Sequence, residues 1–237
     1  MRERGSAIPA AAALVLALEA GARAAEPARA EYAARWDPAR GGPATAAEVA
    51  VILGAEASAR HSCEVLYYDL PRPSGAPAGA AVILRRRSCD DGATEIRLKY
   101  RSAHPFEDRA CPAGAPFHPA TEVDVDFGEG APSRVYSFSC TLSAAQPPAF
   151  LRAVPKPCVS RMTRSETHGG DGARWKIEDW TLPDGSRRLE VSRTAGNDVD
   201  ALAAFGTIVE RLRARGARLL DESKTELGGR CPSGGAR

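Results

Sequence analysis

Charge of one sign is what this chain most clearly lacks. Its 32 Lys and Arg stand against 30 Asp and Glu, a formal net charge of +2. That excludes a polycation that binds nucleic acid through its whole surface, so any polyanion must be held by local clustering of charge. Aromatic residues are scarce at 6 %, and much of the 43 % hydrophobic content is alanine. There is no Cys-x-x-Cys pair and no His at ligand spacing, which removes the usual zinc sites. His61, His104, His118 and His168 are scattered without triad partners, and Ser137 and Ser139 have no nucleophile-elbow context. No repeat of solenoid length occurs, no composition break marks a second domain, and past the N-terminus no run is long and apolar enough for a transmembrane helix.

The N-terminus is different. Arg2 and Arg4 precede a mostly apolar run from Ala7 to Ala20, and Ala22-Arg23-Ala24 offers small residues where a signal peptidase reads. Residues 1–24 are therefore expected to be a signal peptide, residues 25–228 a single domain, and residues 229–237 a flexible tail. The six cysteines, Cys63, Cys89, Cys111, Cys140, Cys158 and Cys231, are an even set in an exported chain and predict disulfides, with the pairing left open.

Alternation dominates the rest. Ala81 to Arg101 reads as two strands around an Asp-Asp-Gly turn. Arg85 and Arg87 share one face of the first; Glu95, Arg97, Lys99 and Arg101 share one face of the second, opposite Ile96, Leu98 and Tyr100. Glu122, Asp124 and Asp126 alternate with Val123, Val125 and Phe127. A second hairpin, Arg174–Leu182 with Arg187–Thr194, sets Lys176, Glu178 and Glu190 against Trp175, Ile177, Leu189 and Val191. Strands are also expected over 31–36, 61–70, 134–142 and 159–166. Thr45 to Leu53 has a helical pattern with Glu48 placed for a capping box. The strongest helix starts at Asn197 or Asp198 and runs to about Gly216, with Val199, Leu202, Phe205, Val209 and Leu212 as its apolar stripe. Leu219 to Leu227 is expected to pack back. Trp36, Trp175 and Trp180 are expected in the core. Many strands with few helices predict an α+β chain: a mainly antiparallel, tunnel-like β-barrel with helices packed outside.

Charged faces of this kind suit the solvated side of a sheet, and equally the lining of a barrel whose apolar faces point out under helices. In a lining, Arg and Lys would converge on phosphate oxygens. Carboxylates would hold Mg²⁺ or Mn²⁺, hard cations that take oxygen ligands.

The order of motifs resembles the CYTH superfamily, the triphosphate tunnel metalloenzymes. Tyr67-Tyr68-Asp69-Leu70-Pro71 resembles its YYDTP segment, Leu84-Arg85-Arg86-Arg87 its LRxR strand, and Glu95-Ile96-Arg97-Leu98-Lys99 its strand ending in a tunnel lysine. Leu189-Glu190-Val191-Ser192 resembles its late acidic strand, and Ser223-Lys224-Thr225-Glu226 follows in the usual order. The resemblance implies a charged tunnel with Arg35, Arg85, Arg87, Arg97, Lys99 and Arg101 on phosphate and Glu31, Glu122, Asp124 and Glu190 as metal ligands. It departs from the family at the E-x-E-x-K signature, here Glu31-Tyr32-Ala33-Ala34-Arg35, and at Ser192, where a second acid is expected. Two metal-ligand positions are thus missing. The family's usual setting is cytosolic, whereas this chain reads as exported. The expectation is a small polyanionic, phosphate-rich ligand bound in the tunnel, with metal-assisted triphosphate hydrolysis as the activity the family implies. The rival is a non-catalytic envelope protein acting through a protein partner.

Overall fold

The computed structural model describes residues 27–56, 60–73, 75–106 and 110–232. The expected signal peptide lies outside the described residues, as do residues 233–237 of the expected tail. Nine strands form: β1 (Arg29–Trp36), β2 (Arg60–Asp69), β3 (Ala81–Cys89), β4 (Thr94–Ser102), β5 (His118–Phe127), β6 (Ser133–Leu142), β7 (Val154–His168), β8 (Arg174–Thr181) and β9 (Arg187–Gly196). They close into one barrel in the order β1-β5-β6-β4-β3-β2-β7-β8-β9. Every neighbouring pair is antiparallel except β1 and β5, which are parallel. The barrel is therefore mixed rather than purely antiparallel. An odd number of strands cannot alternate direction around a closed ring, so at least one parallel pair is obligatory.

Three helices accompany the barrel: α1 (Ala46–Ile52), α2 (Val199–Ala214) and α3 (Lys224–Gly228). Thr45 caps α1 by accepting from the Glu48 backbone N–H at 3.2 Å, but Glu48 reaches back to the Ala44 N–H, one residue short of a true capping box. Asp198 caps α2 by accepting from the Ala201 N–H at 2.8 Å. The α2 stripe is shifted from the expected one: Phe205, Ile208, Val209 and Leu212 are buried, and Val199 in the first turn is 78 % exposed. β7 is longer than the 159–166 expected from sequence because pairing to both β2 and β8 carries its weak-propensity ends.

The barrel is apolar outside and largely charged inside, with one inward apolar cluster of Cys63, Val65, Tyr67, Met162 and Trp180 on β2, β7 and β8. Tyr32, Ala34 and Trp36 of β1 and Ile177 and Val191 of the β8–β9 pair point outward into a cluster roofed by α1 and α2. Phe205 of α2 lies on it, with ring centroids 5.8 Å from Tyr32, 5.0 Å from Phe127 and 5.6 Å from Trp175. A second outward cluster, including Leu84, Ile96, Leu98, Tyr100 and Phe138, is covered by Phe106 and Leu151 from two loops. The Cys111–Cys140 disulfide pins the first of these loops to the outer face of β6. Cys63–Cys89 joins β2 to β3, and Cys158–Cys231 ties β7 to the segment after α3. Three disulfides fit a non-reducing compartment. No described helix is long and apolar enough to cross a membrane.

Because Phe205 is fully buried and meets three rings of the outward face, Phe205→Ala is expected to lower unfolding free energy by about 3–5 kcal/mol in a denaturant titration, the range for truncating a fully buried aromatic.

Candidate ligand-binding tunnel

Strand alternation sends every second residue into the lumen. The register puts Arg85 opposite Arg97, Arg87 opposite Glu95 and Ile83 opposite Lys99 across β3–β4, so the two basic rows lie side by side inside the barrel. With β1, β5, β7, β8 and α3 they line a cavity of about 180 Å³. Nine cations face it: Arg35, Arg85, Arg87, Arg97, Lys99, Arg101, Arg164, Lys176 and Lys224. Seven carboxylates meet them: Glu31, Glu95, Glu122, Asp124, Asp126, Glu178 and Glu190.

Nearly all of this charge is paired. Arg35 forks between Asp126 at 2.9 Å and Glu190 at 2.5 Å. Asp124 takes Lys99 at 2.9 Å and Arg101 at 2.5 Å. Glu95 bridges Arg87 at 2.9 Å and Arg97 at 3.2 Å. Glu178 takes Arg164 at 2.7 Å and Lys224 at 3.1 Å. Arg85 is the exception: among the described residues its half-buried guanidinium has no hydrogen bond or ion pair, and it faces the cavity. Burial disfavours its charge, but Tyr67, Glu95, Glu178 and Glu31 more than reverse that, so its pKa is raised and it stays charged. The buried Nε of Arg97 and Oγ of Ser139 and Ser192 also lack partners.

The two ends of the lumen differ. At one, α3 sits over the mouth with Leu227 packed among Tyr67, Trp180 and Leu182. At the other, a second cavity of about 430 Å³ shares Arg87, Glu95 and Arg164 with the first and is rimmed by His61, Glu166 and Arg174. The lumen opens through that rim.

Of the four carboxylates expected to hold metal, three converge. Oxygens of Glu31, Glu122 and Asp124 lie within 4.8 Å of one another, an all-oxygen set that suits a hard divalent cation. Burial would raise Glu31, but Lys224, Lys176 and Lys99 hold it well below the usual carboxylate range. Burial, with the charge of Glu31, raises Glu122 despite Lys99. Close carboxylates titrate as a group. Glu190 is not part of this set; Arg35 and Lys224 occupy it. The two departures from the family pattern are neighbours, since Ala33 is the register partner of Ser192 across β1–β9.

Asp126, Glu95, Arg164, Lys176, Glu178 and Lys224 belong to the lining but not to the ligand set expected from sequence. Face alternation on β4, β5 and β8 marks Glu95, Asp126, Lys176 and Glu178 as lumenal. Arg164 is masked by the weak pattern of β7. Lys224 is visible only as the first helical residue after Ser223, whose side chain and that of Glu226 close a capping box.

No protein-family model matches the chain, and no curated protein sequence matches it. Solved structures do match. HpAC1 from Hippeastrum, a proposed adenylyl cyclase with a dominant triphosphatase activity, superposes with a TM-score of 0.50 at 12 % identity, covering 86 % of this chain and 97 % of that one. The PH1819 protein from Pyrococcus horikoshii OT3 gives 0.47 at 14 % identity, over 83 % of this chain and 97 % of that one. A Vibrio parahaemolyticus protein assigned as an adenylate cyclase gives 0.45 at 11 %, over 84 % and 98 %. The closed barrel and its likeness to HpAC1 bear out the CYTH resemblance at the level of fold.

Arg97 and Arg87 hold Glu95 down to about 2 from 4.5, against the burial that would raise it. A depressed carboxylate contributes stability that is full above the unfolded value and lost as pH falls toward the folded one. The gap in unfolding free energy between the wild type and Glu95→Gln, read from denaturant titrations across pH, is therefore expected to be widest near neutrality, up to about 3 kcal/mol, and to close between pH 4.5 and 2. A gap independent of pH over that window would remove the Glu95 pairing from the account.

Proposed function

We propose that the lumen binds a small phosphate-rich anion together with Mg²⁺ or Mn²⁺, in a compartment outside the cytoplasm. The observation that carries this reading is Arg85, a charged guanidinium left unpaired in a lumen where every other Arg and Lys is matched to a carboxylate. A phosphate oxygen is the natural partner for that fork. The excess of two positive charges in the lining supports it further.

Glu31, Glu122 and Asp124 are the residues that would hold the cation. When bound, it would supply Lewis-acid polarisation of a phosphoryl oxygen and orientation of water. Lys99 and Arg101 neutralise Asp124 in its absence, and would be released toward phosphate oxygens once Asp124 holds a metal. Arg97 shares Glu95 with Arg87 and keeps its Nε free, so it can join Arg85 on the same anion. Substrate hydrolysis rests on the three-carboxylate set, one position poorer through Ala33 and another through Ser192. The second reading is a non-catalytic barrel that acts through a protein partner. The near-complete internal pairing of the lumen favours it, because such a lining is stable without any ligand.

The test uses the oxidised mature chain with tripolyphosphate, with Mg²⁺ and with EDTA. At a hundredfold excess over Kd, binding is expected to stabilise by about 2.7 kcal/mol, a rise in Tm of roughly 5–10 °C for this size. Arg85→Ala, which breaks no internal pair, is expected to weaken binding about ten- to hundredfold. Unchanged binding in that variant sinks the tunnel reading.

Phosphate release that disappears with EDTA and in Lys99→Ala would mark hydrolysis. Stabilisation without release would mark binding alone, and neither response would put the partner-protein reading ahead. Glu122→Gln with Asp124→Asn is expected to abolish the Mg²⁺ dependence of the Tm shift.

A further inference from the structure

The segment after α2 closes one end of the barrel, and its hold on that end is unevenly built. Leu219 pairs with Trp36 and the Leu220 N–H donates to the Arg35 carbonyl at 2.8 Å, so the chain is fixed to the barrel up to that point. Residues 221–223 bend, and α3 follows with five residues. A helix this short has no stability of its own and depends on what it touches.

Those contacts are specific. The Lys224 ammonium lies 2.7 Å from Glu190 and 3.1 Å from Glu178, filling the space between two carboxylates that are register partners across β8–β9. Leu227 is buried beside Trp180. Gly228 passes so close to the wall that a Cβ there would meet Tyr67 at 3.1 Å and the Ser160 hydroxyl at 3.2 Å. Ser160 donates to the Gly228 carbonyl at 3.1 Å and Lys156 to that of Gly229 at 2.8 Å. Beyond these contacts stands one covalent tie, Cys158–Cys231.

This disulfide is the one with both sulfurs half-buried. In each of the other two one cysteine is buried, Cys63 at 5 % and Cys140 at 0 % exposure, and its partner, Cys89 or Cys111, is half-buried. A thiolate must reach a sulfur along the S–S axis, so exposure ranks the bonds for exchange.

We infer that α3 is a redox-latched plug: a dithiol reductant opens Cys158–Cys231, and residues 221–232 leave the barrel mouth. One thiolate of the reductant attacks a cysteine sulfur and the S–S bond breaks. The second thiol then displaces the mixed disulfide. Two electrons and two protons pass to Cys158 and Cys231, and the reductant ends as its own disulfide. Release turns a lumen with one mouth into a channel with two and uncovers Glu178 and Glu190. This device is independent of which ligand the lumen takes.

Dithiothreitol on the oxidised mature chain tests it. After graded reduction and alkylation, mass spectrometry is expected to find Cys158 and Cys231 labelled first. In that species, amide exchange over residues 224–230 is expected to speed up at least about tenfold, as local opening does once a tie is cut, with the strands still protected. Acrylamide quenching should rise as well, since Trp180 is the tryptophan under the plug while Trp36 and Trp175 lie under the helices. Cys158→Ser with Cys231→Ser should behave this way without reductant. If that variant fails to fold, selective reduction of the wild type still decides. Prior labelling of either other pair, or unchanged exchange over 224–230 after selective cleavage, overturns the inference.

Discussion

Seven carboxylates enclosed in a protein lumen are the constraint to which the rest of this structure answers. A carboxylate withdrawn from water without a partner costs several kcal/mol, more than most single interactions return. Each must therefore meet a cation, and each does: six at hydrogen-bond distance, and Glu31 through Lys176 at 3.7 Å. The pairs are shared: Asp124 serves Lys99 and Arg101, Glu178 serves Arg164 and Lys224, and Arg35 joins Asp126 to Glu190. Removing one member would orphan more than one charge. With most of the lumen committed to ions and its apolar part confined to a cluster of Cys63, Val65, Tyr67, Met162 and Trp180 on β2, β7 and β8, the hydrophobic effect acts mainly on the outer wall. That is why α1, α2 and two loops, one of them pinned by Cys111–Cys140, lie outside, and why few aromatics suffice: Phe205 alone meets three other rings.

Period two is a strong signal when both faces are distinctive, and β3, β4, β5, β8 and β9 carry it in plain view. The inward assignment of Arg85, Arg97, Lys99, Asp124 and Glu178 followed from that alternation once the barrel was expected. What alternation does not encode is which strands adjoin. The β1–β5 pairing joins segments some ninety residues apart (Ala30 beside Val123) and is decided by ring closure. Glu190 illustrates the same limit at the site. Its place on an inward face is legible, but its capture by Arg35 and Lys224 depends on a side chain from β1 and another from a five-residue helix near the end of the chain. Cysteine pairing is equally non-local, and spacing alone did not order it.

The departures on β1 and β9 have a physical logic that single positions hide. Ala33 and Ser192 face each other across β1–β9, so the two acids expected there are absent together. Losing one would leave its neighbouring cations unbalanced; losing both removes a local repulsion along with a local charge. Arg35, in place of lysine, then uses its fork to span Asp126 and Glu190, a bridge a point-charge ammonium makes less well. The result is a lumen with its acids gathered at Glu31, Glu122 and Asp124 on one side, while Glu178 and Glu190 are neutralised on the other.

That division bears on the form of ligand the lumen can take. A bare polyanion entering past Arg87 and Arg164 would have to draw cations away from the carboxylates that need them, and each transfer would strand a buried negative charge. Only Arg85 can be taken without such a loss. An anion that arrives with a divalent cation avoids the conflict. Glu31, Glu122 and Asp124 would hold the metal, Lys99 would be free to turn to the anion, and Asp124 would stay compensated. The surplus of two positive charges in the lining is then met by a polyphosphate already partly neutralised, and poorly met by one that is not. Electroneutrality in a closed space thus favours the metal chelate over the free anion, whether or not chemistry follows.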